Sequence, residues 1–196
     1  MSDTLPACSF LGLTTDFPLS FFSSLSWFRH AADVVQGTFW FMKTAGMVEQ
    51  FKLSPLECYA MLIAAAIHDY DHNGLNNKWL ADSMHPLAIQ HNNESVLESH
   101  HLASAYTNCI LPEETNPFDG MPKETLLSLR NIIIDIVKAT DVARYHGVLV
   151  KELTEFLAQE RTGQHENGYT LKDRMFVMKM VVKCADISNP ARQQHM

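Results

Sequence analysis

Apolar residues recur at helical intervals along most of this chain, and no stretch alternates in the manner of a half-buried strand. From His30 to Met47, Val34, Val35, Phe39, Phe41 and Met42 stand among small residues and predict a buried helix. Ser54-Pro55-Leu56-Glu57 reads as a capping box with proline at the first helical position, opening the apolar run Cys58 to Ile67. Asn92 or Asn93 is expected to cap a further helix, in which Val96, Leu97, His100, Ala103 and Tyr106 recur at helical spacing. Three prolines with Asn116, Asp119 and Gly120 mark Pro112 to Pro122 as a loop. Lys123 to Gln159 is a long helical pattern with a break expected near Thr140-Asp141 or Gly147. A polar loop follows over Arg161 to Gly168, and Leu171 to Asp186 is helical, with Met175, Met178, Val181 and Val182 on its apolar face. The helix must end before Pro190. The fold class expected is all-α, a compact multi-helix bundle.

The chain has 196 residues, enough to bury a core without covalent staples. Hydrophobic residues make up 46% and charged residues 19%, which excludes a disordered or collagen-like chain. Fifteen basic against twenty-two acidic residues give a net charge of −7, which disfavours nucleic acid or an anionic membrane as partner. Cys8, Cys58, Cys109 and Cys184 lie far apart, with no CxxC pair, and read as reduced thiols in a cytoplasmic protein. The apolar stretch Cys8 to Trp27 lacks a basic lead-in and is interrupted by Asp16, so it fits neither a secretory signal nor a membrane span. Residues 1–27 are expected to form a leader and residues 28–196 the functional domain. Asn93-Glu94-Ser95 has the form of a glycosylation sequon, which means little without a secretory route.

The strongest chemical signal is His68-Asp69-Tyr70-Asp71-His72, into which the apolar run ends abruptly. Imidazole and carboxylate buried without partners would cost several kcal/mol, so these groups either face water or bind something. Neutral imidazole and carboxylate are ligands for zinc and other divalent ions. Three further pieces lie far off in sequence. His30 sits in Arg29-His30-Ala31-Ala32-Asp33, Glu98 and His101 stand three apart on one helix face, and Asp186 ends an apolar helix. A carboxylate at a helix C-terminus opposes the helix dipole unless something compensates it, and a cation would. Together these residues form a mixed nitrogen and oxygen set suited to a two-metal hydrolytic site.

The order and context of five motifs resemble the class I cyclic nucleotide phosphodiesterases of the HD-type phosphohydrolase superfamily. They are His30-Ala31-Ala32-Asp33-Val34, Ala65-Ala66-Ile67-His68-Asp69-Tyr70-Asp71-His72, Asn93-Glu94-Ser95-Val96-Leu97-Glu98-Ser99-His100-His101, Ala139-Thr140-Asp141 and Ala185-Asp186-Ile187-Ser188-Asn189-Pro190-Ala191. The resemblance implies a helical catalytic domain that hydrolyses cAMP, cGMP or both to the 5′ monophosphate. It implies that His30, His68, Asp69 and Asp186 hold a first ion, zinc. Asp69 would bridge to a second, magnesium, with manganese as the alternative. His72, Glu98 and His101 would orient waters and ligands as the remaining catalytic groups. Thr140 and Asn189 would lie toward the substrate, Asn189 near the base. Asp71 is expected to be a surface or helix-cap carboxylate, and His85, His91, His146, His165 and His195 are expected to face solvent.

Two departures from the family pattern stand out. The family carries Tyr-His-Asn ahead of its first ligand, and that histidine protonates the leaving oxygen; here the matching residues are Leu25-Ser26-Trp27. The family's domain also continues beyond the segment matching Met196, so the bundle is expected to be incomplete at the C-terminus. An exposed apolar face is expected there, open to a protein partner or a second copy. The alternative reading is therefore a catalytically impaired form that binds metal and partners without appreciable turnover. A different HD-type phosphohydrolase, acting on a nucleotide monophosphate, is disfavoured by the Glu98-to-His101 and Asp186-to-Pro190 segments.

Overall fold

The Ser54 hydroxyl accepts the Glu57 amide N–H, and the Glu57 carboxylate accepts the Ser54 amide in return. Proline at the next position costs nothing, because its missing N–H would have been unpaired there. This start launches the central helix of a computed structural model that describes residues 21–163, 165 and 168–188. Among the described residues the protein is all-α, as the hydrophobic pattern predicts.

The helices run α1 (Phe21–Lys43), α2 (Met47–Phe51), α3 (Pro55–Ile67), α4 (Asn77–Asp82), α5 (Pro86–Gln90), α6 (Val96–Ala105), α7 (Lys123–Lys138), α8 (Val142–Arg161) and α9 (Leu171–Asp186). A π-helical turn, Tyr106–Ile110, continues α6. Helix α3 sits at the centre, against α1, α7 and α9. Ala60, Met61, Ile63, Ala64, Ala65 and Ile67 are all buried, which explains why this helix is apolar all round. On α7 the buried residues Leu129, Ile133, Ile136 and Val137 follow the helical period and face that core. Removing one such side chain typically costs about 2–5 kcal/mol.

Several sequence expectations are corrected. The predicted His30-to-Met47 helix is α1, starting earlier and ending at Lys43, and α2 follows after a left-handed Gly46 at φ 71°. The cap of α6 is Ser95, not Asn92 or Asn93. The long pattern does break at Thr140-Asp141, where Asp141 caps α8 by accepting the Arg144 amide, and Gly147 is continuous with that helix. The α9 bounds are those expected, fixed by a Thr170–Asp173 capping box. His165 is not solvent-facing. It packs against Phe156 and Tyr169 and donates from Nδ1 to Glu160 at 2.7 Å. His85 accepts the Leu87 amide N–H at the start of α5, and His91 is half-buried. His146 is exposed as expected, while His195 lies outside the described residues.

Glu57 ties α3 to α9. Its carboxylate is buried and accepts from Arg174 Nε at 2.9 Å. Burial alone would raise its pKa, but the Ser54 and Arg174 hydrogen bonds more than offset that and hold it below the ordinary glutamate value. A depressed folded-state pKa contributes stability above the unfolded value, and that contribution is lost as pH falls through the folded one. Glu57→Gln is therefore expected to cost about 1–3 kcal/mol near neutral pH, through the weakened cap and the unpaired guanidinium. Thermal melts of both proteins should converge as the pH is lowered into the acid range. A gap that stays constant with pH would contradict the ionised-carboxylate account.

Candidate metal centre

The apolar surface of α3 draws its C-terminal end inward, so that His68, its C-cap, is almost completely buried. His68 Nδ1–H donates to the Ala65 carbonyl at 2.9 Å, which fixes the tautomer and leaves the Nε2 lone pair free. Helix α1 brings His30 and α9 brings Asp186 to the same point. His30 Nε2 lies 3.2 Å from His68 Nε2 and 3.0 Å from Asp186 Oδ1. Asp69 Oδ2 closes the group, 3.6 Å from His30 Nε2 and 3.7 Å from His68 Nε2. His68 Nε2 to Asp186 Oδ1 is 3.5 Å. Residues up to 156 positions apart thus converge on one point.

This spacing fits a metal ion. Zinc bonds to imidazole nitrogen and carboxylate oxygen are about 2.0–2.2 Å long, so donors on a tetrahedral or octahedral shell stand about 3.0–3.5 Å apart. Two imidazole nitrogens and two carboxylate oxygens facing one another need a cation between them, a proton or a metal. The electrostatics agree. Burial works against a charged His68, but the Asp186 hydrogen bond and the charges of Asp69 and Asp186 overcome it and raise the pKa. Burial also works against a charged Asp186, yet His30, His68 and Lys183 hold its carboxyl well below the usual carboxylate range.

Asp69 belongs to a second group as well. Its carboxylate, His72 and His101 offer donor atoms all within 4.8 Å of one another. His101 is buried on α6, and its Nδ1–H donates to the Tyr70 carbonyl at 2.6 Å. Burial pushes its pKa down to about 4, against the pull of Asp69, so the ring is neutral at pH 7. Its Nε2 lone pair faces Asp69 Oδ1 at 3.9 Å. His72 Nδ1 accepts the Gly74 amide N–H, so its Nε2 carries the proton. Glu98 is buried on α6, where it accepts from Asn77 Nδ2 at 2.9 Å. Burial, with the Asp141 and Asp69 charges, raises its pKa despite that hydrogen bond.

The other expected residues stand as follows. Thr140 is half-buried at the α7–α8 corner, and its hydroxyl donates to the Val137 carbonyl at 2.6 Å. Its own carbonyl accepts from Lys183 Nζ at 2.6 Å, and the same ammonium lies 3.6 Å from Asp186 Oδ2. Asn189 lies outside the described residues. Asp71, at φ 61°, turns its carboxylate toward His100 Nε2 at 2.9 Å and accepts from Ser104 Oγ at 3.2 Å. Sequence reasoning singled out neither Lys183 nor Asn77. Lys183 carried one available signal, a lysine directly after the apolar run Met180-Val181-Val182 of α9 and one turn before Asp186.

The fold and this cluster define an all-α protein with a histidine–aspartate centre of metal-binding type. Residues 26–196 match the family described as 3′5′-cyclic nucleotide phosphodiesterase. The chain is 39% identical over 166 residues to isoform F of the 3′,5′-cyclic-AMP phosphodiesterase of Drosophila melanogaster, covering 83% of this chain and 24% of that protein. It is 36% identical over 169 residues to a probable 3′,5′-cyclic phosphodiesterase of Caenorhabditis elegans, covering 84% and 21%. The crystal structure of the phosphodiesterase domain of Salpingoeca rosetta rhodopsin phosphodiesterase superposes with a TM-score of 0.72 at 31% identity, over 85% of this chain and 48% of that one. The chain therefore belongs to the class I 3′,5′-cyclic nucleotide phosphodiesterase family. It spans about a quarter or less of the curated relatives' length and about half of the solved domain.

Proposed function

We propose that this chain is a metal-dependent phosphodiesterase that hydrolyses cAMP, cGMP or both to the 5′ monophosphate in signal transduction. The observation that carries this reading is the convergence of His30, His68, Asp69 and Asp186 at donor spacings of 3.0–3.7 Å. These four would hold a zinc ion. The second Asp69 oxygen, on the side of His72 and His101, would serve a magnesium or manganese ion. When bound, such a pair supplies charge that polarises the phosphate and lowers the pKa of a nearby water.

The chain's own residues do the rest. Lys183 offsets the charge of Asp186 from the side away from the histidines. His72 presents an N–H, and His101 and Glu98 present acceptors, so a water between them has both kinds of partner. Thr140 borders the site through Lys183, and Asn189 would meet the base. We assign residues 28–196 to this domain, residues 1–27 to a leader, and the protein to the cytoplasm. Among the described residues no helix is long and apolar enough to cross a membrane. Trp79, Met84, Ile89, Leu111 and Ile187 are exposed, and a protein partner or second copy would meet this chain on such apolar positions.

A second reading, a metal-binding form with little turnover, is favoured by serine at position 26. The deciding assay is release of 5′-AMP and 5′-GMP from the cyclic substrates with zinc and magnesium supplied. Turnover that a chelator abolishes and the two ions restore is expected. A folded, metal-loaded chain without turnover would support the second reading.

A further inference from the structure

Helix α6 carries Glu98 and His101, yet it begins poorly. Its N-cap, Ser95, is left-handed at φ 45° and makes no side-chain cap bond. The first-turn N–H groups of a helix have no partner within the helix and need one from outside. Leu97 finds it across the fold. Its amide N–H donates to Oδ1 of Asn77, on α4, at 2.8 Å. The same amide group donates through Nδ2 to Glu98 Oε2 at 2.9 Å. Both ends of one side chain are thus committed to adjacent residues of α6. The orientation is dictated by chemistry, because a flipped amide would set N–H against N–H and oxygen against carboxylate.

We propose that Asn77 is a positioning residue that caps α6 in place of Ser95 and holds the Glu98 carboxylate in its orientation beside the metal centre. The functional part rests on the reading that Glu98 orients water there. Glu98 is buried and feels the charges of two further carboxylates, Asp69 just after α3 and Asp141 at the start of α8. Besides the backbone amide of Glu98 itself, the carboxylate accepts from the Asn77 side chain, so Asn77 is what keeps it turned toward α4. The link also ties the segment after His72 to the helix bearing His101.

Two variants separate the two halves of this role. Asn77→Asp keeps the acceptor for Leu97 but replaces the donor to Glu98 with a like charge. Asn77→Ala removes both. In the full chain, faster hydrogen exchange at the Leu97 amide by several-fold is expected for Asn77→Ala and near-native exchange for Asn77→Asp. The ¹³C carboxyl resonance of Glu98 should titrate at higher pH in Asn77→Asp than in the native chain. Turnover is expected to fall about tenfold in Asn77→Asp with KM little changed, and by nothing further in a Glu98→Gln background. An unmoved Glu98 resonance in Asn77→Asp, native Leu97 exchange in Asn77→Ala, or an equal loss with and without Glu98 would each overturn the proposal. The exchange and resonance measurements need no turnover. A chain without activity therefore counts against the proposed function while these two still decide the role of Asn77.

Discussion

Alanine in place of Asp186 is expected to reduce bound zinc and to lower turnover by more than about 100-fold, beyond the usual cost of disturbing an outer metal partner. The reason is the position of its Oδ1, 3.0 Å from His30 Nε2 and 3.5 Å from His68 Nε2. Without that oxygen the remaining donors are two imidazoles and Asp69, and Lys183 loses the anion that it faces at 3.6 Å. A buried ammonium next to the metal position then opposes the metal directly. Asp71→Ala is the informative contrast, because it also removes an acid close to the site. Its carboxylate faces His100 and Ser104, so the metal content should stay at the native value. Metal analysis after dialysis checks both. Native stoichiometry in Asp186→Ala would remove it from the donor set, and equal losses in both variants would mean that bulk negative charge, not these distances, holds the ion.

The contrast between Asp186 and Asp71 also marks how far the sequence alone could be read. Where an element is long and capped by local chemistry, the sequence was sufficient. Helix α9 runs from Leu171 to Asp186 as expected because Thr170 and Asp173 form a capping box at its start. The Ser54 box does the same for α3. Helices α4 and α5, of six and five residues, are too short to display a hydrophobic period, and polar caps from Asn76 and His85 start them. His85 was thereby misread as a solvent histidine, although Pro86 directly after it was a usable sign of a helix start. His165 was misread because its burial depends on rings from α8 and from the segment before α9. The metal cluster was legible through the family's motifs, since each piece taken singly has an ordinary explanation. Asn77 and Lys183 lie outside the five motifs on which the resemblance was read. Their roles come from hydrogen bonds spanning 20 to 43 residues, which composition and periodicity do not encode.

Histidine at position 26 is expected to raise turnover about 10²-fold or more, the lower end of what general acid help is worth. The departing 3′ oxygen leaves as an alkoxide unless a proton reaches it, and a serine hydroxyl is a very poor acid near neutral pH. Position 26 lies in α1, four residues before His30, so the two share a helix face one turn apart. The family resemblance puts its acid at this position, ahead of the His30 motif, and that is the ground for expecting an imidazole there to act. An added general acid should also give the rate a descending alkaline limb, as the new imidazolium loses its proton, and Ser26→Asn should give neither effect. Metal content should be the same in all three proteins, because none of the proposed ligands changes. A Ser26→His protein with native metal content, unchanged turnover and an unchanged pH profile would mean that the proton comes from elsewhere. His72 is then an alternative donor, since the Gly74 amide occupies its Nδ1. The size of the gain therefore measures how much of the proposed chemistry can proceed without the family's usual acid.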